Sequence, residues 1–483
     1  MAEPNVANDD RGVDEPTVPV GEVVPEEAPA SGFSTVRLFG SRSFFRLWLA
    51  QVASALGDWI GFVAITALAA RIAGGGSPEA AVGLVLSARL VPGFFFAPVA
   101  GVLVDRWDRK KVMVSCDIGR GLVLATLPWV DTIPGLVVIS FLLEILTLMW
   151  SPAKEASVPS IVPKAYLPTA NSLSLVAAYG TFPIGSAMFT ALAGVAKWLG
   201  EYDALEGLKV DQEFIAIYFD VGTYFLSALL ISTLALPSSR RASTTEAASD
   251  TRRRIDFGQA WRELREGVAF IGHNRIVRAI MLSIATGLVG GGMLVPLGPA
   301  FARTTLGGGS AAFGLLLTAL GIGVAAGIIG LSVIQRRIPH EKVFLFAVFG
   351  AGISIVAGAS MTTLTPVLAL VGVLGVCAGA VYVLGFTILQ TNVAEELLGR
   401  VFATLNTLVR FCLLSAFAIA PLLSALLDRL SRDLLDRQIS IAGIDIAVPG
   451  VRITLWLGGG IILFAGVVAL LALRDRPLRR ERT

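Results

Sequence analysis

The sequence predicts an all-α membrane protein in which twelve transmembrane helices form two halves of six helices each. Of the 483 residues, 54% are hydrophobic and 16% are charged, whereas soluble domains carry about 25% charged residues. The mean hydropathy is +0.74. The apolar residues fall into about twelve runs of 18 residues or more, the length that crosses a bilayer. A polar stretch at 237–275 separates the first six runs from the last six.

Helices are predicted for every run, because only helices and closed barrels span lipid and these runs are too long for barrel strands. Proline interrupts several runs, which membrane helices tolerate. In chain order, the predicted spans are 44–70, 80–103, 112–130, 134–152, 170–199, 212–236, 276–301, 311–334, 343–361, 366–389, 401–427 and 451–473.

The segments outside the spans are polar. The acidic N-terminal tail is predicted to be disordered because it has too little apolar surface to bury. Within the central linker, 256–272 reads as an amphipathic helix at the membrane surface or as an extension of the seventh span. The predicted organisation is a tail at 1–40, a half at 41–236, a linker at 237–275, a half at 276–474 and a basic tail at 475–483.

The distribution of basic residues predicts the orientation. If the N-terminus is cytoplasmic, 28 Lys and Arg residues lie in or beside the cytoplasmic segments and 8 lie outside. Basic loops favour the cytoplasmic side. We therefore expect a multi-pass protein of the cell membrane with both termini in the cytoplasm.

The sequence lacks the residue patterns that several classes of function require. The three cysteines lie inside apolar runs and form no disulfide framework, and the two histidines stand in separate segments. No metal-ligand spacing, catalytic triad or phosphate-binding loop is present. We therefore predict no cofactor, no metal, no nucleic-acid partner and no enzymatic activity.

Ionisable residues inside predicted spans are the first functional candidates, because a charge near the bilayer centre costs about 2.5–3.5 kcal/mol or more and is usually paired or functional. Helical rise places Asp58 and Arg89 both about 21–22 Å from the cytoplasmic side, which predicts an ion pair. Arg120 and Glu144 come out near a depth of about 12 Å, which predicts a second pair.

The roles of these residues stay open at this stage. Asp58 is either a proton-coupling carboxylate, with Arg89 as its partner, or half of a static pair that fixes helix register. Arg120 and Glu144 suit a structural or gating pair. Asp220 suits helix packing, and Arg410 either meets an anionic substrate or extends toward the interface.

A charged loop follows the second span, with the sequence GVLVDRWDRKK at 101–111. Gly101 permits close helix approach, while Asp105 can pair with Arg109 or meet a helix N-terminus. Such a network can latch one conformation. The loop resembles the G-x-L-x-D-R-x-G-R-[RK] signature of the major facilitator superfamily, although Asp108 replaces the second glycine. The matching positions are Gly101, Leu103, Asp105, Arg106, Arg109 and Lys110.

A finer resemblance involves three further stretches. They are LW at 47–48 with S-x-x-GD at 54–58, SPA at 151–153 with VP-x-x-VP at 158–163, and E-x-x-x-GRV at 395–401. They resemble the twelve-span drug:proton antiporters that include macrolide efflux pumps and enterobactin exporters. The resemblance implies a monomeric carrier that exports a lipophilic small molecule in exchange for protons.

Other functions remain open from the sequence. Import of a small metabolite is one alternative, and a non-transporting membrane scaffold or receptor is another. An ATP-driven pump is disfavoured because the chain has no phosphate-binding loop.

Small residues predict where helices approach closely. Gly323 and Gly327 in the eighth span, and Gly375 and Gly379 in the tenth, have the G-x-x-x-G spacing that permits tight contact. Three consecutive glycines at 290–292 suggest either a hinge or packing.

Overall fold

A computed structural model describes most of the chain. The described residues are 39–73, 77–96, 100, 103–104, 107–163, 166–199, 212–234, 274–334, 339–393, 395–435, 438–441 and 444–474. Residues 1–38 of the predicted N-terminal tail, the predicted C-terminal tail and the predicted surface helix of the linker lie outside them.

Twelve helical segments in this part of the chain are long and apolar enough to cross a membrane, as the sequence predicts. The fifth and seventh segments are each broken into two helices. The bounds are α1 Arg42–Ile72, α2 Pro78–Phe95, α3 Arg109–Ala125, α4 Ile133–Ile161, α5a Leu167–Tyr179, α5b Phe182–Leu199, α6 Gln212–Ser232, α7a Arg275–Gly292, α7b Leu294–Thr304, α8 Ser310–Ile334, α9 His340–Ser360, α10 Leu364–Asn392, α11 Glu395–Leu435 and α12 Gly450–Arg474.

Short polar side chains cap the N-termini of several of these helices. Ser41 accepts a hydrogen bond from the backbone N–H of Phe44 at 3.0 Å, and Asn274 caps α7a in the same manner. Asp108, which replaces the signature glycine, caps α3 by accepting from the N–H of Lys111 at 3.1 Å. Each cap satisfies a donor that the helix itself cannot pair.

The described residues also contain a short hairpin that the sequence analysis did not predict. Strands β1 (Gln438–Ile441) and β2 (Ile444–Ala447) pair antiparallel between α11 and α12. Helix α11 continues past its predicted end at residue 427 to Leu435, toward this hairpin. Helix α12 begins just after the hairpin, at Gly450. The fold is otherwise helical, so the predicted all-α class is confirmed.

Apolar residues cover both the interior and the outer surface. Large side chains such as Phe346 and Phe464 are 77% and 64% exposed. An apolar outer surface of this kind suits a helix bundle in contact with lipid.

Glycines bring α8 and α10 into backbone contact. A Cβ atom at Gly323 would overlap the carbonyl oxygen of Gly372, and one at Gly375 would overlap that of Leu320. The predicted close approach at these positions is confirmed. The glycines at 290–292 allow close helix packing and also coincide with the break in the seventh span. Gly290 contacts the backbone of Gly458, and α7a ends at Gly292.

The two sets of six helices, α1–α6 and α7–α12, meet at one side of the molecule. We call the face at which α1 begins the proximal face and the opposite face the distal face. The halves join through α5b with α8, α2 with α11, and α7b with α1 and α2. Of the broken spans, α5a and α7a are the proximal pieces and pack mainly within their own halves. Among the described residues, the contacts between halves are therefore concentrated toward the distal face.

We predict that Gly323→Ala destabilises the protein, because a new methyl group would meet the α10 backbone. Overpacking of this kind costs about 1–3 kcal/mol. The midpoint of thermal unfolding in detergent should fall. Gly330→Ala on the same helix is the matched control, since a Cβ atom at Gly330 meets nothing within 4 Å. Equal midpoints for the two variants would contradict the packing account.

Candidate functional site

A cavity opens inside the first half, between α1, α4 and α5a. Its volume is about 590 Å³. Its wall combines aromatic rings with charged and polar groups. The residues that define its character are Gln51, Asp58, Trp59, Arg120, Trp150, Lys154 and Tyr179.

Two carboxylates line this cavity, Asp58 and Glu155, and Asp58 is the one that contacts the buried Arg120. The Asp58 side chain is 30% exposed. One carboxylate oxygen accepts a hydrogen bond from the hydroxyl of Tyr224 at 2.5 Å, and the other lies 3.7 Å from the nearer guanidinium nitrogen of Arg120. Asp58 therefore joins three helices, α1, α3 and α6, at the cavity wall.

Arg120 is the buried centre of this cluster, with a side chain that is 1% exposed. Its guanidinium pairs with Asp117 one turn earlier on α3 and donates to the hydroxyl of Ser54 at 3.3 Å. It also lies over the rings of Tyr224 and Trp150, 4.5 and 5.3 Å from their centroids. Both acidic and aromatic neighbours favour its positive charge.

Asp117 anchors the cluster to two further helices. Its side chain is fully buried. The oxygen that does not face Arg120 accepts hydrogen bonds from Ser227 on α6 at 2.8 Å and from the indole N–H of Trp150 on α4 at 3.3 Å. The carboxylate is thus satisfied without water, as a buried charge requires.

The predicted partners of these charges are wrong. Among the described residues, no ion pair within 4 Å joins Asp58 to Arg89, and none joins Arg120 to Glu144. Asp58 contacts Arg120 instead. The reason is that helical rise gives a residue's depth but not the direction in which its side chain leaves the helix.

Arg89 and Glu144 belong to a different group that also includes Arg410. The guanidinium of Arg89 lies 5.9 Å from the centroid of the Phe62 ring. Arg89 and Arg410 are among the charged groups close enough to Glu144 to act on it electrostatically. Arg410 on α11 reaches α2 of the other half, where a Cβ atom at Gly93 would overlap its guanidinium.

Asp220 lies where α6 packs on α1. Its carboxylate accepts a hydrogen bond from Thr223 at 3.2 Å, and Cβ atoms at Gly57 or Gly61 would overlap it. The two glycines of α1 make the space that this carboxyl group occupies. Asp220 is 2% exposed and does not line the cavity.

The charged loop before α3 is only partly described. Gly101, Asp105 and Arg106 lie outside the described residues. Arg109 donates to the carbonyl of Ala156 at 2.7 Å, and Lys110 donates to that of Leu234 at 2.8 Å. These cations tie α3 to the C-terminal part of α4 and to the end of α6, where the negative end of a helix dipole favours positive charge.

Sequence reasoning missed a link between the halves at the distal face. Glu213, at the start of α6, lies 3.3 Å from the guanidinium of Arg71 at the end of α1 and accepts from the hydroxyl of Ser310 on α8 at 2.7 Å. Glu213 is 2% exposed. A buried carboxylate therefore joins both halves at one side of the protein.

Sequence reasoning also missed Tyr224, Ser227 and Lys154. The signal for the first two was present, because Asp220, Tyr224 and Ser227 recur at helical spacing along one side of α6. Lys154 carried no such signal. The described residues contain no group of three His, Cys, Asp or Glu side chains arranged to hold a metal ion.

Residues 47–418 match the family model of the Major Facilitator Superfamily. The chain belongs to this superfamily. Members carry small molecules across membranes, generally as single chains. The superfamily and the twelve apolar helices together make this transporter a multi-pass membrane protein.

Curated relatives include transporters of this superfamily and named efflux pumps. The chain is 26% identical over 375 residues to the MFS-type transporter YkuC of Bacillus subtilis, covering 75% of this chain and 81% of that one. It is 24% identical over 387 residues to the multidrug efflux pump Tap of Mycobacterium tuberculosis, covering 78% and 84%. A stretch of 133 residues, 26% of this chain and 31% of the relative, is 31% identical to macrolide efflux protein A of Streptococcus pyogenes.

Solved structures share the fold. A bacterial homologue of the human lysosomal transporter Spinster, inward-facing and unoccupied, matches with a TM-score of 0.67 and 14% identity over 90% of this chain and 97% of that one. A D-xylose–proton symporter matches with a TM-score of 0.61 and 14% identity over 88% and 97%. At this identity the likeness concerns the fold alone.

We predict that Asp117→Asn lowers the free energy of unfolding by about 3–5 kcal/mol, because Arg120 would lose its fully buried partner. The exposed pair of Arg432 and Asp428, 2.9 Å apart, supplies the control. Arg432→Gln should change stability by less than about 1 kcal/mol. Unfolding titrations in mixed micelles measure both. A loss for Asp117→Asn no larger than that of the control would refute the central role of the buried pair.

Proposed function

We propose that this transporter is a secondary active exporter that moves a lipophilic small molecule out of the cell in exchange for protons. It acts as a monomer by alternating access in the cell membrane, with both termini in the cytoplasm. The observation that carries the proposal is the position of Asp58. Its carboxylate meets the cavity on one side and the buried Arg120 and Tyr224 on the other.

This arrangement suits a carboxylate that gains and loses a proton. Ionised Asp58 is stabilised by the Tyr224 hydroxyl and by the charge of Arg120. When Asp58 binds a proton, Arg120 keeps its contact with Asp117 and is not left as an unpaired buried charge. The cavity supplies the path by which the proton arrives or leaves.

In this role Arg120 replaces Arg89 as the cation beside Asp58. Asp117 then holds Arg120 in place while Asp58 changes charge. Arg89, which the sequence paired with Asp58, has no part in this step because it stands over Phe62.

The contacts between the halves support alternating access. They are concentrated in distal segments, including α5b and α7b, and the Glu213 link closes the distal side. The proximal pieces of the same spans pack within their own halves. A rocking motion of the two halves would exchange these distal contacts for proximal ones.

Two observations support export from the cytoplasm. The excess of basic residues falls in the segments at the proximal face, which therefore suits the cytoplasm. Two relatives are named as a multidrug efflux pump and a macrolide efflux protein. Among the described residues, the contacts between the halves lie mainly on the distal side, which suits a state that loads cargo from the proximal side.

We predict that Asp58→Asn folds but loses proton-driven transport, because the asparagine side chain cannot carry the exchanged proton. Inverted membrane vesicles with an imposed pH gradient measure the effect. A panel of lipophilic acids, bases and neutral compounds is added, and proton release is followed with a pH-sensitive dye. The wild type should release protons from the vesicle as cargo enters it, and the variant should release at least tenfold fewer.

Asp131→Asn is the matched control, since Asp131 is exposed in the loop before α4. It should transport like the wild type. If Asp58→Asn released as many protons as the control, Asp58 would not be the residue that couples transport to protons. Cargo flux that persists after the pH gradient is dissipated and that needs ATP would favour a pump. Binding of cargo without flux would favour a receptor.

We predict that Glu213→Gln opens the distal side more often, because the link between Arg71 and Ser310 is weakened. Ala70→Cys is the reporter; this residue is 2% exposed in a distal cavity shared with Arg71 and Ser310. In a background without the three native cysteines, an impermeant maleimide should label the reporter several times faster when Glu213→Gln is present. Unchanged labelling would show that the link does not hold the distal side closed.

A further inference from the structure

The intramembrane cations Arg89 and Arg410 lie outside the Asp58 cluster and have no partner in the proton step. Arg89 is half-buried and Arg410 is exposed, although both belong to membrane-spanning segments. Among the described residues, neither forms an ion pair within 4 Å. An intramembrane cation without a paired carboxylate is costly unless it meets water or another anion.

The two arginines belong to opposite halves, and the backbone positions at which they stand or reach lie close together on α2. The side chain of Arg410 reaches from α11 to the backbone at Gly93, where the absence of a Cβ atom admits it. Arg89 precedes Gly93 by four residues, so both positions lie on the same side of α2, about 5–6 Å apart. A ligand held by both arginines would therefore touch both halves of the transporter.

The surroundings leave the donors of Arg89 available. Its guanidinium lies over the face of the Phe62 ring, 5.9 Å from the centroid. Among the described residues, this guanidinium forms no hydrogen bond and no ion pair within 4 Å, so its N–H groups can bind a ligand. A planar guanidinium edge matches a carboxylate, which accepts two parallel hydrogen bonds.

Glu144 on α4 is an acidic group close enough to both arginines to act on them electrostatically. One carboxylate near two cations leaves an excess positive charge between the halves.

We propose that Arg89 and Arg410 form an anion-binding site between the halves, and that the cargo of this transporter is a lipophilic carboxylate. Glu144 is the internal anion that the carboxylate of the cargo displaces. The inference rests on the proposed transport function and names its substrate class. The aromatic ring of Phe62 and the apolar walls of α2 and α11 suit the remainder of such a molecule.

The test compares three probes of one shape and different charge. Full-length protein in a neutral detergent is titrated with 1-naphthoate, 1-naphthylmethanol and 1-naphthylmethylammonium, and binding is measured by calorimetry. Charge-assisted hydrogen bonds favour the carboxylate by a factor of roughly ten or more. Naphthoate should therefore bind at least tenfold more tightly than the neutral probe, and the ammonium should bind most weakly.

Variants assign the preference to the two arginines. Arg89→Gln and Arg410→Gln should each remove most of it. Arg429→Gln is the matched control, because Arg429 is exposed near the distal end of the same helix as Arg410, and it should keep the preference. Glu144→Gln should bind naphthoate several times more tightly, a gain that loss of folding cannot produce.

Three results would overturn the proposal. They are naphthoate binding no tighter than the neutral probe, equal losses in Arg410→Gln and Arg429→Gln, and weaker naphthoate binding in Glu144→Gln. The titration uses no pH gradient, so it is independent of proton coupling. An Asp58→Asn protein that keeps the preference but does not transport would support the anion site on its own.

Discussion

The buried guanidinium of Arg120 is the constraint on which the first half of this protein depends. A cation that is 1% exposed inside a membrane bundle must be satisfied by its neighbours. Asp117 provides the permanent partner, and Ser54, Tyr224 and Trp150 surround the rest. Because these groups come from four helices, the positions of α1, α3, α4 and α6 are fixed together by one charge.

The same charge explains how Asp58 can differ from Asp117. Asp117 is fully buried and accepts from three donors, so it holds the cluster in place. Asp58 is partly exposed to the cavity and stands farther from the guanidinium, at 3.7 Å. One carboxylate is thus structural and the other is accessible. Under the proposed proton exchange, that division would let Asp58 change charge while Asp117 keeps the cluster in place.

Close backbone contacts make the remaining structure compatible with movement. Glycines let α8 meet α10 without side chains between them, which makes that pair a rigid unit within its half. The contacts between halves are of another kind, since they include the ion pair and hydrogen bond of Glu213 and the reach of Arg410 across to α2. Polar contacts of this kind can be exchanged for water or ligand, whereas interlocked backbones cannot.

The sequence by itself determined the membrane class, the number of spans and the division into halves, because apolar run length follows directly from bilayer thickness. It also identified Asp58 and Arg120 as candidate site residues and the glycine pairs of α8 and α10 as close-packing positions. A charge or a G-x-x-x-G spacing inside a span can be read directly from the sequence. The short hairpin and the Glu213 link carried no comparable signal. Only the tertiary structure decided which charges meet. The depth of Asp58 and Arg89 was available from helical rise, but the side on which each leaves its helix, and which helix stands there, is set by packing among distant parts of the chain.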